Sequence, residues 1–442
     1  MAATATVTTE EAAAKLSSKI IPVEAEVEEK QTVVFMFPGS NIYTKDDIRK
    51  ILEQHFRFKE IILDYFMRAK ISTGVDILFQ LESSDNSEWL NIQMLIVFCI
   101  NCATAQFLTE LGVKPDYVMG YSLGEYAAAC FAGTITFEDA AYLILKRNLL
   151  FLELEEGTMM TVACSSESVK QYLVPGVEIS GYNADDRITL SGKREALNQV
   201  KSMLDKNRIA SAFLNVTRAG HCYMVEKIKE RIRDLFDSVT LKPPTVPVIS
   251  TMTGKKLRDD EITDPEYWAS QARNPVNFEA ACKYFGSYTH IPFIETGFGN
   301  QLSSLARKNI ISNQNQWAVS LIDFKSGREA FSLMQGLLSI WKKGLDIDWN
   351  ILYLERPYKT SLPTYPFSKT SSITEESKKK KKHKKLASSY VICFDPFTDA
   401  NIQRTRYLAG QNGIKLVCVE SKSTDISPAD WEDICLKYYD YQ

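Results

Sequence analysis

The motif G-x-S-x-G at residues 120–124 limits the possible folds of this chain more than any other part of its sequence. The apolar segment Asp116–Gly120 predicts a short buried strand, and Glu125–Phe131 predicts a helix directly after the motif. A serine on so sharp a strand-to-helix turn exposes its Oγ, and the two glycines leave room for the turn and for an incoming group. The motif therefore predicts that Ser122 is a nucleophile at the end of a strand.

The surrounding pattern predicts an α/β protein with a parallel sheet. A first strand is expected at Thr32–Phe37, which ends at a Pro-Gly pair, and a mostly apolar helix is expected at Leu90–Leu111. Between about residues 157 and 218 the rhythm changes to two short β-α-β units. This change predicts a small inserted subdomain of the ferredoxin-like type.

Composition divides the rest of the chain into shorter segments. We expect a flexible or partner-docking lead-in at 1–31, a main domain at 32–323, a helix and a Pro-rich extended stretch at 324–369, a Lys-rich disordered linker at 370–388, and a partial βαβα segment at 389–442. The lysine run Lys378–Lys385 is interpreted as a solvated linker, with a nucleic-acid or carrier-protein contact as the alternative. Within the last segment we expect a strand at Tyr390–Phe394, a helix at Asn401–Gln411, a strand at Ile414–Glu420 and a helix at Pro428–Tyr439. This is half of a doubly wound unit, so we expect the chain to stop inside a domain or to be completed by another chain.

Charge and cysteine content exclude several classes of protein. The formal charge of −3 offers no overall attraction to nucleic acid or anionic lipid, and no apolar run approaches the ~20 residues that cross a bilayer. Nine cysteines, mostly inside apolar runs, favour a reducing compartment, so a cytoplasmic protein is expected. Cys99 and Cys102 form a C-x-x-C without a second pair nearby, which favours buried helix residues over a zinc site, and no metal is expected.

A serine nucleophile needs a base, and the chain has four histidines. His55 is assigned to a charged helix, His290 lies in an apolar stretch where packing is the expected role, and His383 lies in the lysine run. His221 sits between small residues just before a predicted helix, so its ring could reach a cleft. By elimination, His221 is the best candidate for the base.

The run GYSLGEYAAACFAGTITFEDAAYLILKR, which starts at Gly120, resembles the nucleophile region of malonyl-CoA:acyl-carrier-protein transacylases and of polyketide synthase acyltransferase domains. The resemblance covers roughly residues 33–370. It implies a Ser–His dyad on an α/β-hydrolase-like core, closed by the ferredoxin-like subdomain. It also implies that an acyl group moves from acyl-CoA to the phosphopantetheine of an acyl carrier protein through an ester on Ser122, with no bound cofactor.

The resemblance extends to individual residues. Arg147 matches the arginine that binds the free carboxylate of malonyl-type groups, a task for which a planar guanidinium is suited. Gln93 resembles the glutamine that lines the acyl pocket. Asn274 is similar to the residue whose backbone carbonyl orients the histidine. The amides of Leu123, at the start of the helix, and of Ser40, in the loop after the first strand, are expected to form the oxyanion hole.

This chain departs from the family pattern at three places. The loop after the first strand reads Phe37-Pro38-Gly39-Ser40-Asn41 where F-P-G-Q-G-S-Q is usual, and Tyr121 replaces the histidine that usually precedes the nucleophile. Gly220 replaces the bulky residue that malonyl-selective members carry, which suggests room for methylmalonyl or larger groups. Leu123 instead resembles the residue of malonyl-selective members. We therefore expect malonyl as the preferred acyl group, although a methyl group in a pocket changes selectivity by only ~1–3 kcal/mol.

The segment after the main domain resembles the linker that follows the acyltransferase in modular polyketide synthases, and the terminal βαβα piece is similar to the start of a ketoreductase-like subdomain. These likenesses imply a ketosynthase partner, in the same or a separate chain, as part of polyketide or fatty-acid synthesis. Two alternatives remain. One is an acyl hydrolase or editing enzyme of the same fold, and the other is a non-catalytic docking scaffold, which the altered loops at Ser40 and Tyr121 make conceivable.

Overall fold

The structure is a computed structural model that describes residues 31–84, 88–310, 315–324 and 331–353, with the backbone of two strands at 390–394 and 415–419. The chain forms two compact units, one spanning 25–358 and the other combining 1–24 with 359–442. The predicted lead-in up to residue 30, the Pro-rich stretch, the lysine run and the two helices predicted within 401–411 and 428–439 lie outside the described residues.

The unit 25–358 is built on a parallel sheet of five strands. Their order across the sheet is β10-β9-β1-β2-β7. The strands are β1 Val34–Phe37, β2 Tyr117–Gly120, β7 Val248–Ile249, β9 Pro292–Phe298 and β10 Trp317–Ile322. All four residues of β1 are buried, as expected for a central strand of a parallel sheet that is covered on both faces. The mixed α/β class that the sequence predicts is therefore present.

Helices cover this sheet. They are α1 Lys45–Leu52, α2 Phe56–Thr73, α3 Ile77–Glu82, α4 Gln93–Glu110, α5 Gly124–Phe131, α6 Phe137–Leu152, α9 Glu226–Leu235, α10 Asp259–Ile262, α11 Pro265–Arg273, α12 Phe278–Lys283, α13 Gln301–Asn309 and α14 Ser332–Lys342. Helix α4 is apolar around its whole circumference, and 14 of its 18 residues are buried, because it packs inside the large core cluster. Cys99 and Cys102 are both among these buried residues.

A second sheet of five strands follows α6 in the chain, in the order β6-β3-β5-β4-β8. It is built from β3 Thr158–Val162, α7 Ser166–Val169, β4 Val177–Ala184, β5 Arg187–Gly192, α8 Arg194–Lys206 and β6 Ser211–Phe213. These elements alternate as β-α-β-β-α-β, and their neighbouring strands are antiparallel. The short strand β8, Val276–Asn277, joins the edge at β4 in parallel and connects this sheet to the segment that follows α11.

Local predictions differ from the structure mainly at element ends. The first strand begins at Val34 instead of Thr32, and the long apolar helix spans Gln93–Glu110 instead of Leu90–Leu111. The sequence assigns His55 to a charged helix, and the structure places it one residue before the start of that helix, α2. His55 is the N-cap of α2, because its ring Nδ1 accepts the backbone N–H of Arg57 at 3.2 Å.

Two described strands belong to the other unit. They are β11 Tyr390–Phe394 and β12 Lys415–Val419, and they pair in parallel from Tyr390 with Lys415 to Phe394 with Val419. Both lie where the sequence predicts strands. Among the described residues, no helix is both long and apolar enough to cross a membrane.

Candidate active site

Ser122 sits on a strained turn between β2 and α5. Its φ of 54° lies in the left-handed region that a non-glycine residue seldom adopts, and such strain is held in place by the surrounding packing. The flanking glycines allow that packing. A Cβ at Gly120 would lie 2.1 Å from the carbonyl carbon of Gly124, and one at Gly124 would lie 2.0 Å from the carbonyl oxygen of Phe37. The G-x-S-x-G spacing therefore meets a steric requirement at both glycines.

His221 is in hydrogen-bonding contact with this serine. Its Nε2 lies 2.6 Å from the Oγ of Ser122, although the two residues are 99 positions apart in the chain. Its Nδ1 lies 2.9 Å from the backbone carbonyl oxygen of Asn274. A carbonyl only accepts, so Nδ1 carries the proton in the neutral ring, and the lone pair of Nε2 faces the serine hydroxyl.

The histidine is held neutral by its surroundings. It is 4% exposed, and burial together with the positive charge of Arg147 lowers the pKa of His221 from 6.5 to about 4. Its φ is 56°, so it shares the left-handed backbone of Ser122. At neutral pH the imidazole is therefore available as a proton acceptor.

Helix α11 supports both members of the pair. The side-chain amide of Gln271 donates to the backbone carbonyl of Ser122 at 2.8 Å, and the backbone N–H of His221 donates to the carbonyl of Ala272 at 3.1 Å. The carbonyl of Asn274, which receives the histidine proton, follows at the end of the same helix. Sequence reasoning missed Gln271, since no motif marks a residue 149 positions after the serine.

Arg147 is a buried cation without a counter-ion. It is 3% exposed on α6, and its guanidinium forms no ion pair and no hydrogen bond with any residue in the described part of the chain. Its guanidinium carbon lies 4.5 Å from the ring centre of Phe151 and 5.8 Å from that of Tyr126. Burial lowers the pKa of Arg147, which reflects the cost of keeping an uncompensated charge out of water. An anionic ligand could supply the counter-charge that Arg147 lacks among the described residues.

Two other predicted site residues have packing partners of their own. The Oε1 of Gln93 accepts the backbone N–H of Tyr43 at 2.7 Å, and its Nε2 donates to the carbonyl of Trp89 at 3.0 Å. Gln93 therefore holds the loop after β1, with one N–H of its amide left over. Leu123 is buried in the core cluster, so its side chain packs inward.

The two predicted oxyanion donors are backbone amides. Among the described residues, neither the N–H of Leu123 nor that of Ser40 has an acceptor in the protein. Leu123 is the N-cap of α5, where the helix dipole favours negative charge. Ser40 is exposed in the loop that directly follows β1. Both amides are thus available to a ligand.

Two residues by which this chain differs from the family pattern line the same region. The hydroxyl of Tyr121 donates to the Oδ1 of Asn183 on β4 at 2.8 Å, so the residue before the nucleophile binds the smaller sheet. Gly220 precedes the histidine, and a Cβ built there would meet only the ring of Phe151, at 3.7 Å. There is therefore room for a Cβ at Gly220.

Taken together, these residues have the arrangement that a serine nucleophile requires. A neutral imidazole faces a serine hydroxyl, two unengaged amides lie at the adjoining chain turns, and a buried guanidinium stands unpaired close enough to act on the histidine electrostatically. The parts match a nucleophile, its base, an oxyanion site and an anion-binding group.

The amino-acid sequence of this chain is similar to those of known proteins. A family described as the acyl transferase domain matches residues 49–329. A phenolphthiocerol/phthiocerol polyketide synthase from Mycobacterium tuberculosis is 24% identical over 341 residues, which are 76% of this chain and 23% of that protein. Non-reducing polyketide synthase terA from Aspergillus terreus is 30% identical over 283 residues, which are 61% of this chain and 13% of that protein. The chain thus spans under a quarter of the length of these two relatives.

Solved structures share the fold. The acyl transferase domain of ZmaA is 26% identical with a TM-score of 0.68, over 76% of this chain and 81% of that one. The malonyl CoA-acyl carrier protein transacylase of Clostridium perfringens is 24% identical with a TM-score of 0.60, over 70% and 99%. The family resemblance inferred from the nucleophile region is confirmed. Across the stretch that holds Ser122, His221 and Arg147, this chain belongs to the acyl transferase domain family.

Proposed function

We propose that this chain transfers a malonyl- or methylmalonyl-type acyl group from a coenzyme A thioester to the phosphopantetheine thiol of an acyl carrier protein. The observation that carries the proposal is the buried, unpaired guanidinium of Arg147, whose charge contributes to lowering the pKa of His221, the hydrogen-bonded neighbour of Ser122. A carboxylate at the far end of the acyl group would supply the missing counter-charge through two parallel hydrogen bonds. An acyl group without that carboxylate would leave the cation uncompensated.

In the proposed first half-reaction, the Nε2 of His221 takes the proton of Ser122 as its Oγ attacks the thioester carbonyl. The amides of Leu123 and Ser40 donate to the oxyanion that forms. The tetrahedral intermediate then collapses, the C–S bond breaks, and His221 returns its proton to the sulfur of coenzyme A. The imidazolium that exists in between is stabilised by the carbonyl of Asn274, in the place where a carboxylate acts in a triad.

In the second half-reaction, the phosphopantetheine thiol enters the site that coenzyme A has left. His221 accepts the thiol proton, sulfur attacks the Ser122 ester, and the proton passes to the serine oxygen as the ester bond breaks. The acyl group leaves on the carrier protein and the serine is restored. The cycle is ping-pong and uses only groups of this chain and its two substrates.

The finer architecture is part of this proposal. The five-stranded parallel sheet is assigned as an α/β-hydrolase-like core, because its nucleophile follows a strand and opens a helix. The β-α-β-β-α-β order of the smaller sheet supports the ferredoxin-like assignment for residues of about 157–218. The segments after residue 323 are proposed as the linker toward a ketosynthase, in the same or a separate chain, and the start of a further subdomain.

Intact-mass analysis after exposure to malonyl-CoA tests the proposal. The wild-type chain should gain one malonyl group, and Ser122→Ala should gain none. Adding a phosphopantetheinylated carrier protein should move the group to the carrier. Release to water at the same rate with and without carrier would indicate the hydrolase instead, and a wild-type chain that never acquires the group would indicate the docking scaffold.

A further inference from the structure

Glu125 holds a carboxylate in the core directly behind the nucleophile. The residue is 1% exposed, and its carboxyl group accepts the backbone N–H of Thr251 at 2.8 Å and the hydroxyl of Tyr267 at 2.7 Å, while the Oγ1 of Thr251 lies 2.7 Å from the same carboxyl group. No cation pairs with it among the described residues. Burying a carboxylate costs free energy unless its oxygens are hydrogen-bonded or paired with a cation, and burial raises the pKa of Glu125.

One side of this cluster touches the nucleophile turn. Glu125 lies in the first turn of α5, and its backbone N–H donates to the carbonyl of Ser122 at 3.0 Å. The hydroxyl of Thr251 also lies 2.7 Å from the carbonyl of Gly120, the last residue of β2. The cluster therefore contacts the chain on both sides of the serine.

The other side touches the helix that holds the base. Tyr267 lies on α11, four residues before Gln271, so the two side chains point from the same face of the helix. Gln271 donates to the carbonyl of Ser122, and the carbonyl of Asn274 at the end of α11 accepts from His221. The hydroxyl of Tyr267 is further held by the Oγ of Ser250 at 2.8 Å.

We propose that Glu125 and Tyr267 are positioning residues that set the separation between the Oγ of Ser122 and the Nε2 of His221. The serine and the histidine are carried by different segments, and the hydrogen bond from Tyr267 to Glu125 joins the helix after the serine to the helix that orients the histidine. The inference rests on the proposed function, since it assigns these residues to the same Ser–His chemistry. Neither residue touches the acyl group, so both act through the pair.

The geometry of the Ser122–His221 pair depends on how α5 and α11 are held relative to each other. Ser122 and His221 both hold a left-handed backbone, which the surrounding structure must maintain. The contact of 2.6 Å between them leaves little tolerance for a shift of α11 relative to α5. A displacement of about 1 Å at a reacting pair lowers a rate by about 100-fold.

The substitution Tyr267→Phe tests the link, because it removes only the hydroxyl that joins the two helices. We expect the rate constant for acylation of Ser122 by malonyl-CoA to fall about 10- to 100-fold with an unchanged KM. Labelling by a fluorophosphonate, which needs an activated serine but no acyl-CoA site, should fall by a similar factor. A crystal structure of the variant should show a longer distance between the Oγ of Ser122 and the Nε2 of His221.

Tyr117→Phe is the matched control. Tyr117 lies at the opposite end of β2, and its hydroxyl contacts that of Tyr288 at 3.2 Å, so the variant loses a phenol contact of the same kind away from the turn. Glu125→Gln is the conservative variant. Its amide oxygen still accepts from Thr251 and its NH2 can donate to the oxygen of Tyr267, so it should keep more activity than Glu125→Ala.

Several results would overturn the inference. They are a wild-type acylation rate in Tyr267→Phe, an equal loss in Tyr117→Phe, a loss that appears in KM alone, and an unchanged Ser–His distance in the variant structure. The proposed function fails in a different way. In that case the wild-type chain takes the fluorophosphonate but never the malonyl group, and the effect of Tyr267→Phe is then read from fluorophosphonate labelling alone.

Discussion

The guanidinium of Arg147 lies 4.5 Å from the ring centre of Phe151, and the same ring is the nearest neighbour of a side chain built at Gly220. The phenyl group of Phe151 therefore contacts the buried cation and also borders the position of a side chain at Gly220, the residue before His221. The guanidinium that we propose binds a carboxylate packs over one face of the Phe151 ring. The edge of the same ring borders the space proposed for an α-substituent of the acyl group.

Replacing Arg147 by alanine should lower kcat/KM for malonyl-CoA by about 10- to 100-fold, since a hydrogen bond to a charged group contributes roughly 1.5–3 kcal/mol. Loading from acetyl-CoA should not fall, because acetyl has no carboxylate. Arg147→Lys should recover only part of the loss, as an ammonium cannot form the two parallel bonds. Equal losses for malonyl and acetyl would contradict the role given to Arg147.

The acid limb of kcat/KM should lie near pH 4, because the pKa of His221 is lowered to about 4 by burial and by the charge of Arg147. Above that limb the imidazole is neutral and can take the serine proton, and below it the ring is protonated and activity is lost. In Arg147→Ala the limb should move toward higher pH, since one of the two causes is gone. A pH–rate profile with acetyl-CoA as substrate measures the acid limb of the wild-type chain and of Arg147→Ala. A wild-type limb at pH 6.5 would contradict a lowered pKa of His221.

Filling the space at Gly220 should narrow the choice of acyl group. Gly220→Phe is expected to load malonyl and to disfavour methylmalonyl by about 10-fold or more, as a methyl group in a pocket is worth ~1–3 kcal/mol. Gly220→Ala is the control for folding, because its Cβ meets only Phe151 at van der Waals distance. Competition between the two acyl-CoA thioesters, followed by intact-mass analysis, gives the ratio of malonyl to methylmalonyl loaded on the protein. If this ratio is unchanged in Gly220→Phe, the residue at position 220 does not determine selectivity.

Glu295 should make folding stability fall as pH rises. Its carboxylate accepts the N–H groups of Leu302 and Ser303 at the start of α13, at 3.0 and 2.8 Å, yet burial raises the pKa of Glu295 from 4.5 to about 7. Between those values the folded state holds a proton that the unfolded state has released. The contribution of Glu295 to the free energy of unfolding is therefore complete below about pH 4.5 and is lost through pH 7, at roughly 1.4 kcal/mol per unit.

Glu295→Gln provides the comparison, because glutamine keeps an acceptor for the helix and does not titrate. Urea unfolding of both chains at pH 5, 6 and 7 should show a difference in the free energy of unfolding that changes in favour of Glu295→Gln as pH rises. Parallel pH dependences in the two chains would be inconsistent with a raised pKa at Glu295.

Sequence reasoning worked best where the relevant contacts are local. The strand, turn and helix around Ser122 were predicted within one residue of their observed bounds, because an apolar run followed by the G-x-S-x-G spacing already defines a strand, a turn and a helix start. The strands at 390–394 and 415–419 were predicted equally well from short apolar runs. In each case the side-chain pattern and the backbone conformation belong to the same few residues.

The candidate site required more than local pattern. Elimination singled out His221, and family resemblance singled out Arg147 and Asn274. Neither approach could show that His221 lies 2.6 Å from the serine, or that Arg147 has no counter-ion among the described residues. Gln93 carried a pocket role by resemblance, and the structure adds that its amide holds the chain at Tyr43. Such facts depend on which distant segments pack together.

The amino-acid sequence alone determined the α/β class and the position of Ser122 on a strand-to-helix turn, because spacing along a few residues already defines a strand, a turn and a helix. The family followed from the resemblance of the segment around Ser122 to known nucleophile regions. Only the tertiary structure decided that α11 contacts both the serine and the histidine, and that Glu125 and Tyr267 join the two supports. The physical reason is distance along the chain. Partners separated by 53 to 149 residues meet only through the packing of whole helices and sheets, which no local pattern records.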